Sequence, residues 1–123
     1  MEEYKMTKNL LIVEDDPAIR EFLVLFLEEV TPYQVVVAED AIEALTVAEA
    51  VKPLLCVLDY NLPFMNGLQL YDRIRTLPGL QETGVLLMSA NLPEQELAQR
   101  HIPHISKPFE LNDLLQALER LMK

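Results

Sequence analysis

Five short apolar runs alternate along this chain with segments whose apolar residues recur at helical spacing. Each run is rich in branched side chains, which is typical of the buried strands of a parallel sheet. The runs are Asn9–Val13, Gln34–Ala38, Leu54–Leu58, Gly84–Met88 and Ile102–Ser106. Strands that alternate with helices are joined by right-handed crossovers, which leave helices on both faces of the sheet. The pattern therefore predicts an α/β fold: a doubly wound five-stranded parallel sheet flanked by five helices.

The helices have their own sequence signals. Asp16 can cap free backbone amides and Pro17 suits the first helical position, so the first helix begins there. Its apolar residues are predicted to face the core, and they are Ile19, Phe22, Leu23, Phe26, Leu27 and Val30. The second helix, Ala41–Val51, carries Ile42, Leu45, Val47, Ala48 and Val51. Three more helices are predicted over Leu68–Ile74, over Glu94–Arg100, and from Glu110 to Met122.

Composition limits the class of protein. A chain of 123 residues can bury one core, so we expect a single domain over residues 1–123. Twenty acidic and ten basic residues give a formal charge of −10, which disfavours direct binding to nucleic acid or anionic membranes. Cys56 is the only cysteine, so no internal disulfide or multi-cysteine metal site can form. No signal segment and no apolar run of roughly 20 residues is present, so we expect no membrane insertion and a cytoplasmic location.

Charged and hydroxyl side chains follow four of the predicted strands. They are Glu14, Asp15 and Asp16 after the first strand, Asp59 after the third, Ser89 after the fourth and Lys107 after the fifth. Ligand sites in parallel sheets lie at the carboxyl ends of the strands, so these side chains should converge. Each has an ordinary role when taken alone, such as a helix cap for Asp15-Asp16 or a solvated amine for Lys107. Their joint occurrence, in order, favours a functional site.

The chemistry of this set favours a site for a metal ion and a phosphoryl group. Carboxylates from Glu14, Asp15 and Asp59 would repel one another at close range, so the cluster requires a cation. Mg²⁺ fits best, because it accepts one or two carboxylates, keeps several waters and can add phosphate oxygens. The amine of Lys107 and the hydroxyl of Ser89 could hold a phosphoryl group by charge and by a hydrogen bond. No candidate base accompanies Ser89, so its hydroxyl is not inferred to be a nucleophile.

Four motifs carry a resemblance to a known family. The chain reads LLIVEDDP at the first strand, LDYNLPFMNG at the third, LMSAN at the fourth and ISKPF at the fifth. Together they resemble the receiver domain of two-component response regulators, and the match runs from Asn9 to Met122. The resemblance implies the flavodoxin-like receiver fold of single-domain, chemotaxis-type regulators.

The resemblance also assigns a role to each site residue. It implies that Asp59 is the phospho-acceptor and a Mg²⁺ ligand, and that Asp15 binds Mg²⁺ directly. Glu14 would assist through a water molecule, and the backbone carbonyl of Asn61 would complete the protein ligands. Asn61 would also flank the path of attacking water together with Asn91, and so tune the lifetime of the acyl phosphate.

Three further residues match the family at the ends of the last two strands. Lys107 would contact the phosphoryl group, and the Ser89 hydroxyl would move toward a phosphoryl oxygen. Pro108 matches a proline whose preceding peptide bond is commonly cis.

Two features depart from the family pattern. His104 stands where the family usually has a Tyr or Phe that swings inward on activation, so His104 is either a switch residue or a partly exposed strand residue. The interval from Ser89 to Lys107 is a few residues short and lacks the usual Gly-Ala turn. We therefore expect a short, displaced or mobile fourth helix.

The implied function is a phosphorylation-dependent switch and not an enzyme beyond self-phosphorylation and autodephosphorylation. A sensor histidine kinase or a histidine phosphotransfer protein would donate the phosphoryl group. Output would pass to a downstream protein or through self-association, by the surface of the fourth helix, fifth strand and last helix. Two alternatives remain: an interaction module that is independent of phosphorylation, and a phosphatase of the haloacid-dehalogenase type. The phosphatase would need an acid where Asn61 stands.

Overall fold

The computed structural model describes residues 8–91 and 93–122, which form one five-stranded sheet and five helices. The strands are β1 (Asn9–Val13), β2 (Gln34–Ala38), β3 (Leu55–Asp59), β4 (Gly84–Ser89) and β5 (His104–Ser106). The helices are α1 (Pro17–Val30), α2 (Ala41–Val51), α3 (Gly67–Arg75), α4 (Glu94–Gln99) and α5 (Leu111–Leu121). All strand pairs are parallel, in the order β2-β1-β3-β4-β5. The predicted doubly wound α/β fold is confirmed.

The central strands are buried on both faces, which explains why their sequences are continuous apolar runs. Successive side chains of a strand point to opposite faces, so Leu11 and Val13 enter one core and Leu10 and Ile12 enter the other. The first core is closed by small and aliphatic residues of α2 and α3. The second is closed by Leu23 and Leu27 of α1 and by Leu114 and Leu118 of α5, two residues of each helix at a spacing of four.

The start of α1 follows its sequence signal, because the Asp16 side chain accepts hydrogen bonds from the backbone N–H groups of Ala18 and Ile19 at 2.9 and 3.3 Å. The predicted core face of α1 was partly wrong, and Ile19, Phe22 and Val30 are exposed by 38, 52 and 39%. The helix also carries Val24, Leu25 and Phe26, so its apolar residues surround much of the axis. Spacing alone could not select the stripe that meets the sheet.

Helix α2 departs from its predicted core in the same way. Ile42 is 56% exposed, whereas Ala41, Ala44 and Ala48 are fully buried. Alanine side chains allow a helix to lie close to a sheet, so α2 turns its small residues inward and Ile42 outward. Size and not hydrophobicity decides which face is buried here.

The segment between β4 and α5 is compact, and the predicted start of β5 is wrong. Strand β5 begins at His104 and not at Ile102, because the Ile102 N–H donates to the carbonyl of Leu97 at the end of α4, at 2.9 Å. Helix α4 has six residues, as the short interval predicted, and Leu97 is its buried residue. The Lys107-Pro108 peptide bond is cis, as expected from the motif.

One further expectation concerns membranes. Within residues 8–91 and 93–122, no helix is both long enough and apolar enough to cross a membrane.

Candidate functional site

The strand register brings the predicted site residues to one edge of the sheet. Val13 pairs with Leu58, so the acids after β1 lie beside Asp59 at the end of β3. Asp59 pairs with Met88, so Ser89 lies one residue farther on β4. Ser89 pairs with Ser106, which sets Lys107 just past that level. Four neighbouring strands thus deliver their last side chains to a common crevice.

Three carboxylates form a tight cluster in this crevice. Oxygen atoms of Glu14, Asp15 and Asp59 all lie within 4.8 Å of one another. Glu14 and Asp59 are buried and Asp15 is exposed. The cluster is therefore enclosed on the protein side and open toward solvent through Asp15.

Burial and repulsion make the charged state of this cluster unfavourable. Desolvation first, and the charge of Asp59 second, raise the pKa of Glu14 to about 7, while the Asp16 N–H and Lys107 oppose the rise. The pKa of Asp59 is also raised, mainly by burial, although Lys107 and the N–H of Asn61 stabilise its anion. A nearby positive charge would stabilise the ionised form of both carboxylates.

One oxygen of the cluster lacks a hydrogen-bond donor. Oε1 of Glu14 is buried without a hydrogen bond, and its neighbour is the Lys107 amine at 3.6 Å, which is an ion pair too long for a hydrogen bond. Carboxylate oxygens are ligands suited to a hard divalent cation. In this cluster Oε1 of Glu14 has no hydrogen bond and Asp15 is exposed to solvent. The residues present therefore fit such an ion.

Ser89 is held by a compact set of hydrogen bonds on the other side of Asp59. Its Oγ accepts hydrogen bonds from Nδ2 of Asn61 at 2.9 Å and from the N–H of Asn91 at 3.2 Å. Its carbonyl accepts one from the N–H of Lys107 at 2.9 Å. The residue is 1% exposed, so the hydroxyl is available only to the crevice and to these partners.

The loop after β3 is fixed by close backbone contacts. The N–H of Asn61 donates to Oδ1 of Asp59 at 3.2 Å, and the N–H of Gly67 donates to the carbonyl of Tyr60 at 2.7 Å. A Cβ on Gly67 would lie 2.8 Å from the carbonyl oxygen of Asp59, so only glycine fits there. Phe64, on the same loop, has φ of 79° and is 75% exposed, so its aromatic ring is open to solvent.

Arg20 fixes the loop after β1, and no local sequence pattern indicates this role. Nη1 of Arg20 donates to the carbonyl of Glu14 at 2.8 Å, and Nη2 lies 3.7 Å from Glu39. Helical spacing predicts only an outer position for Arg20 on the first helix. Arg20 lies on the first turn of α1, and this position places its side chain near the end of β1.

The region around α4 is held by two different sets of contacts. Arg100 hydrogen-bonds Asp72 of α3 and lies over the ring of Tyr71, with 5.6 Å between the guanidinium carbon and the ring centroid. His104 is half-buried, and its Nδ1 lies 2.9 Å from the carbonyl of Ile102. These contacts tie α4 to α3 and leave His104 beside the preceding loop.

A cavity of about 420 Å³ opens beside the crevice. Its walls are mostly apolar and come from the start of α1, the end of β4 and the segment before α5, and they include Phe22, Phe109 and Leu111. Lys107 lines both this cavity and the acidic crevice. The exposed face of α1 therefore continues into the neighbourhood of Asp59.

Residues 10–119 match the family described as the response regulator receiver domain. This chain belongs to that family. As a receiver domain it is part of two-component signalling, in which receivers act as switches and are generally not enzymes, and the family binds Mg²⁺ at an acidic pocket.

Individual relatives agree with this assignment. The receiver domain is 30% identical to an uncharacterized 14.6 kDa protein of Leptolyngbya boryana, over 91% of this chain and 88% of that protein. It is 29% identical to hybrid signal transduction histidine kinase D of Dictyostelium discoideum, over 92% of this chain and 7% of that protein. Chemotaxis response regulator CheY4 of Vibrio cholerae superposes with a TM-score of 0.83 at 26% identity, over 94% of this chain and 99% of that chain.

The length of these relatives varies widely. The receiver domain spans 7% of the hybrid kinase and about half, 49 and 53%, of two transcriptional regulators that it matches. The domain is therefore found both nearly alone and as a part of larger proteins.

Proposed function

We propose that residues 1–123 act as one receiver module that accepts a phosphoryl group on Asp59 and signals through protein contacts. The observation that carries this proposal is the convergence on Asp59 of two further acids, the Lys107 amine and the Ser89 hydroxyl. Asp59 is 6% exposed and ends β3, a central strand paired with β1 and β4, so its backbone is held in place. Rigid positioning lowers the cost of bringing a reactant into line.

The proposed step is an in-line displacement at phosphorus. A carboxylate oxygen of Asp59 forms a bond to the phosphorus of a phosphohistidine while the bond from phosphorus to the imidazole nitrogen breaks, and that nitrogen keeps the electron pair. Asp59 and Asp15, the carbonyl of Asn61, and Glu14 through water would hold Mg²⁺, which supplies positive charge against the phosphoryl oxygens. Asp59 needs no general base, because its reacting form is the anion.

Lys107 and Ser89 are proposed to hold the product. The Lys107 amine, paired with Glu14 at 3.6 Å, is close enough to turn toward a phosphoryl oxygen on Asp59. The Ser89 hydroxyl would donate a hydrogen bond to another phosphoryl oxygen. These two contacts link the modified Asp59 to the ends of β4 and β5, and so shift a two-state equilibrium toward the output conformation.

The proposed partners follow from the chemistry and from the relatives. A sensor histidine kinase or a histidine phosphotransfer protein would supply the phosphoryl group, and the match to a hybrid histidine kinase supports this class of donor. A downstream protein or a second copy of the chain would read the surface of α4, β5 and α5, with His104 as a candidate switch residue. The formal charge of −10 supports a protein target and not nucleic acid. The proposed location is the cytoplasm.

The two rival functions have less support. Asn61 cannot act as the acid or base of a haloacid-dehalogenase phosphatase, so turnover beyond self-phosphorylation and autodephosphorylation is not expected. A module independent of phosphorylation is favoured by His104 and by the six-residue α4. This alternative function, however, leaves the cluster formed by Glu14, Asp15 and Asp59 without a role.

The deciding experiment is the intact mass of the protein after incubation with Mg²⁺ and acetyl phosphate, a small phosphodonor. We expect one added phosphoryl group on the wild type and none on Asp59→Ala. Glu29→Ala removes an exposed acid from the far end of α1 and should be modified like the wild type. An unmodified wild type, or a modified Asp59→Ala variant, would refute the proposal.

A further inference from the structure

The Ser89 hydroxyl already has both of its acceptor positions filled. It accepts hydrogen bonds from Nδ2 of Asn61 at 2.9 Å and from the N–H of Asn91 at 3.2 Å. A hydroxyl oxygen has two acceptor lone pairs and one proton to donate. Any movement of Oγ toward a group on Asp59 must therefore break or rearrange these two bonds.

Asn61 connects the two functional strand ends through one residue. Its backbone N–H donates to Oδ1 of Asp59 at 3.2 Å, while its side chain reaches across to Ser89 on β4. The residue as a whole is exposed, so its amide could be solvated instead. The amide nevertheless lies within 2.9 Å of a side chain that is almost completely buried.

We infer that the Asn61 side chain is a latch that holds Ser89 in the unphosphorylated position, beyond its backbone role at the acid cluster. This inference rests on the proposed phosphorylation of Asp59. The Ser89 proton is free to be donated to a phosphoryl oxygen, and hydrogen bonds to an anion are roughly twice as strong as neutral ones, so this bond offsets the neutral bond from Asn61 that is lost when Oγ moves. Without the phosphoryl group no such acceptor is available, and the latch stays closed.

Opening the latch also affects the loop before α4. The N–H of Asn91 donates to the same Oγ, so a shift of Ser89 withdraws an anchor from the start of the loop that leads to α4. Helix α4 is anchored by Leu97 and Arg100 and has no side-chain cap at its N-terminus. The latch thus couples Asp59 to the start of the segment that leads to α4.

The latch makes a thermodynamic prediction. Since Asn61 stabilises the unphosphorylated state, its removal must favour binding of a phosphoryl mimic. Asn61→Ala keeps the backbone N–H and carbonyl and removes only the amide. We expect beryllium fluoride with Mg²⁺ to bind Asn61→Ala roughly 2- to 12-fold more tightly than it binds wild type, the range that one net hydrogen bond supplies.

Binding can be followed by the backbone amide signals of Ser89 and Asn91 in NMR titrations, because the chain has no tryptophan for fluorescence. Asn112→Ala removes an exposed amide from α5 and serves as a matched control with unchanged binding. Melting curves of both variants confirm that the comparison is between folded proteins.

A double-mutant cycle separates a latch from a direct contact to the mimic. If Asn61 acts through Ser89, Asn61→Ala has no effect on mimic binding in a Ser89→Ala background. The same change in both backgrounds would show that the amide contacts the mimic itself, and would overturn the inference. Unchanged or weaker binding by Asn61→Ala in the Ser89 background would overturn it too. Failure of the wild type to bind the mimic would instead reject the proposed function, and the latch with it.

Discussion

The amine of Lys107 lies 3.6 Å from Oε1 of Glu14, an ion pair that joins the end of the fifth strand to the end of the first. The two side chains differ greatly in exposure, at 27% for Lys107 and 2% for Glu14. Lys107 is therefore the cationic partner of a buried carboxylate before any phosphoryl group arrives. Its proposed role in holding that group requires it to exchange one anionic partner for another.

Removing the Lys107 charge should destabilise the protein through Glu14. We expect Lys107→Gln to lower the free energy of unfolding by about 1 kcal/mol, because a buried carboxylate loses its counter-charge. The double variant Glu14→Gln/Lys107→Gln should recover most of this loss. Urea unfolding of the four proteins in the cycle measures the coupling, and strictly additive effects would contradict the pair.

Neutralising Asp59 should stabilise the protein when no divalent cation is added. The raised pKa values of Asp59 and Glu14 mean that folding disfavours their charged forms. We expect Asp59→Asn to unfold at higher temperature than wild type, by about 1 kcal/mol in free energy of unfolding. Glu29→Gln, the same change on an exposed acid, should have little effect.

Added Mg²⁺ should reverse that order. A cation that binds the folded state raises its stability by an amount that grows with the logarithm of the cation concentration relative to the dissociation constant. We expect Mg²⁺ to raise the melting temperature of wild type and to have a much smaller effect on Asp59→Asn. An equal rise in both proteins would mean that the ion binds elsewhere.

A methyl group on Gly67 should disturb the Asp59 loop more than one on Gly84 disturbs β4. On Gly67 it would meet the backbone of Asp59 and Tyr60 at 2.8 Å, whereas on Gly84 its nearest neighbour at 2.7 Å is the end of the Leu55 side chain. Backbone cannot rotate away and a leucine methyl can. We expect Gly67→Ala to cost about 2–3 kcal/mol of stability, more than Gly84→Ala, with slower modification by acetyl phosphate. Chemical unfolding measures the loss of stability, and intact mass after incubation with acetyl phosphate measures the rate of modification.

The buried thiol of Cys56 should make stability depend on alkaline pH. Burial raises its pKa to about 12 from an ordinary value of 9.0, so the folded state keeps a proton that the unfolded state loses. Between these two values the unfolded state binds fewer protons, and the free energy of unfolding therefore falls as pH rises above about 9. Cys56→Ala lacks this contribution and should show a shallower decline.

The same burial predicts low thiol reactivity. At pH 8 we expect iodoacetamide to modify Cys56 at a rate limited by unfolding, and rapidly in denaturant. Fast labelling of the folded protein would show that the side chain is accessible.

Strand and loop identity could be predicted from the sequence because their signals are local. The apolar runs fixed five strands, and Asp16-Pro17 marked the start of α1 before any tertiary contact was known. Parallel strands end at one edge of a sheet, so the order of Glu14, Asp59, Ser89 and Lys107 along the chain already implied a common crevice. The boundary of β5 failed, because the N–H of Ile102 bonds to α4, a contact that no local pattern encodes.

The sequence by itself determined which elements form and which chemical groups stand at their ends, since periodicity and turn residues act over a few positions. Tertiary structure alone decided which helix faces are buried, so Ala44 lies inside and Phe22 and Ile42 lie outside. It also decided that Arg20 holds the carbonyl of Glu14 and that Asn61 bonds to Ser89, 28 residues away. Such contacts depend on strand order, register and side-chain reach in three dimensions. No local sequence pattern indicates which residues will be neighbours in the folded protein.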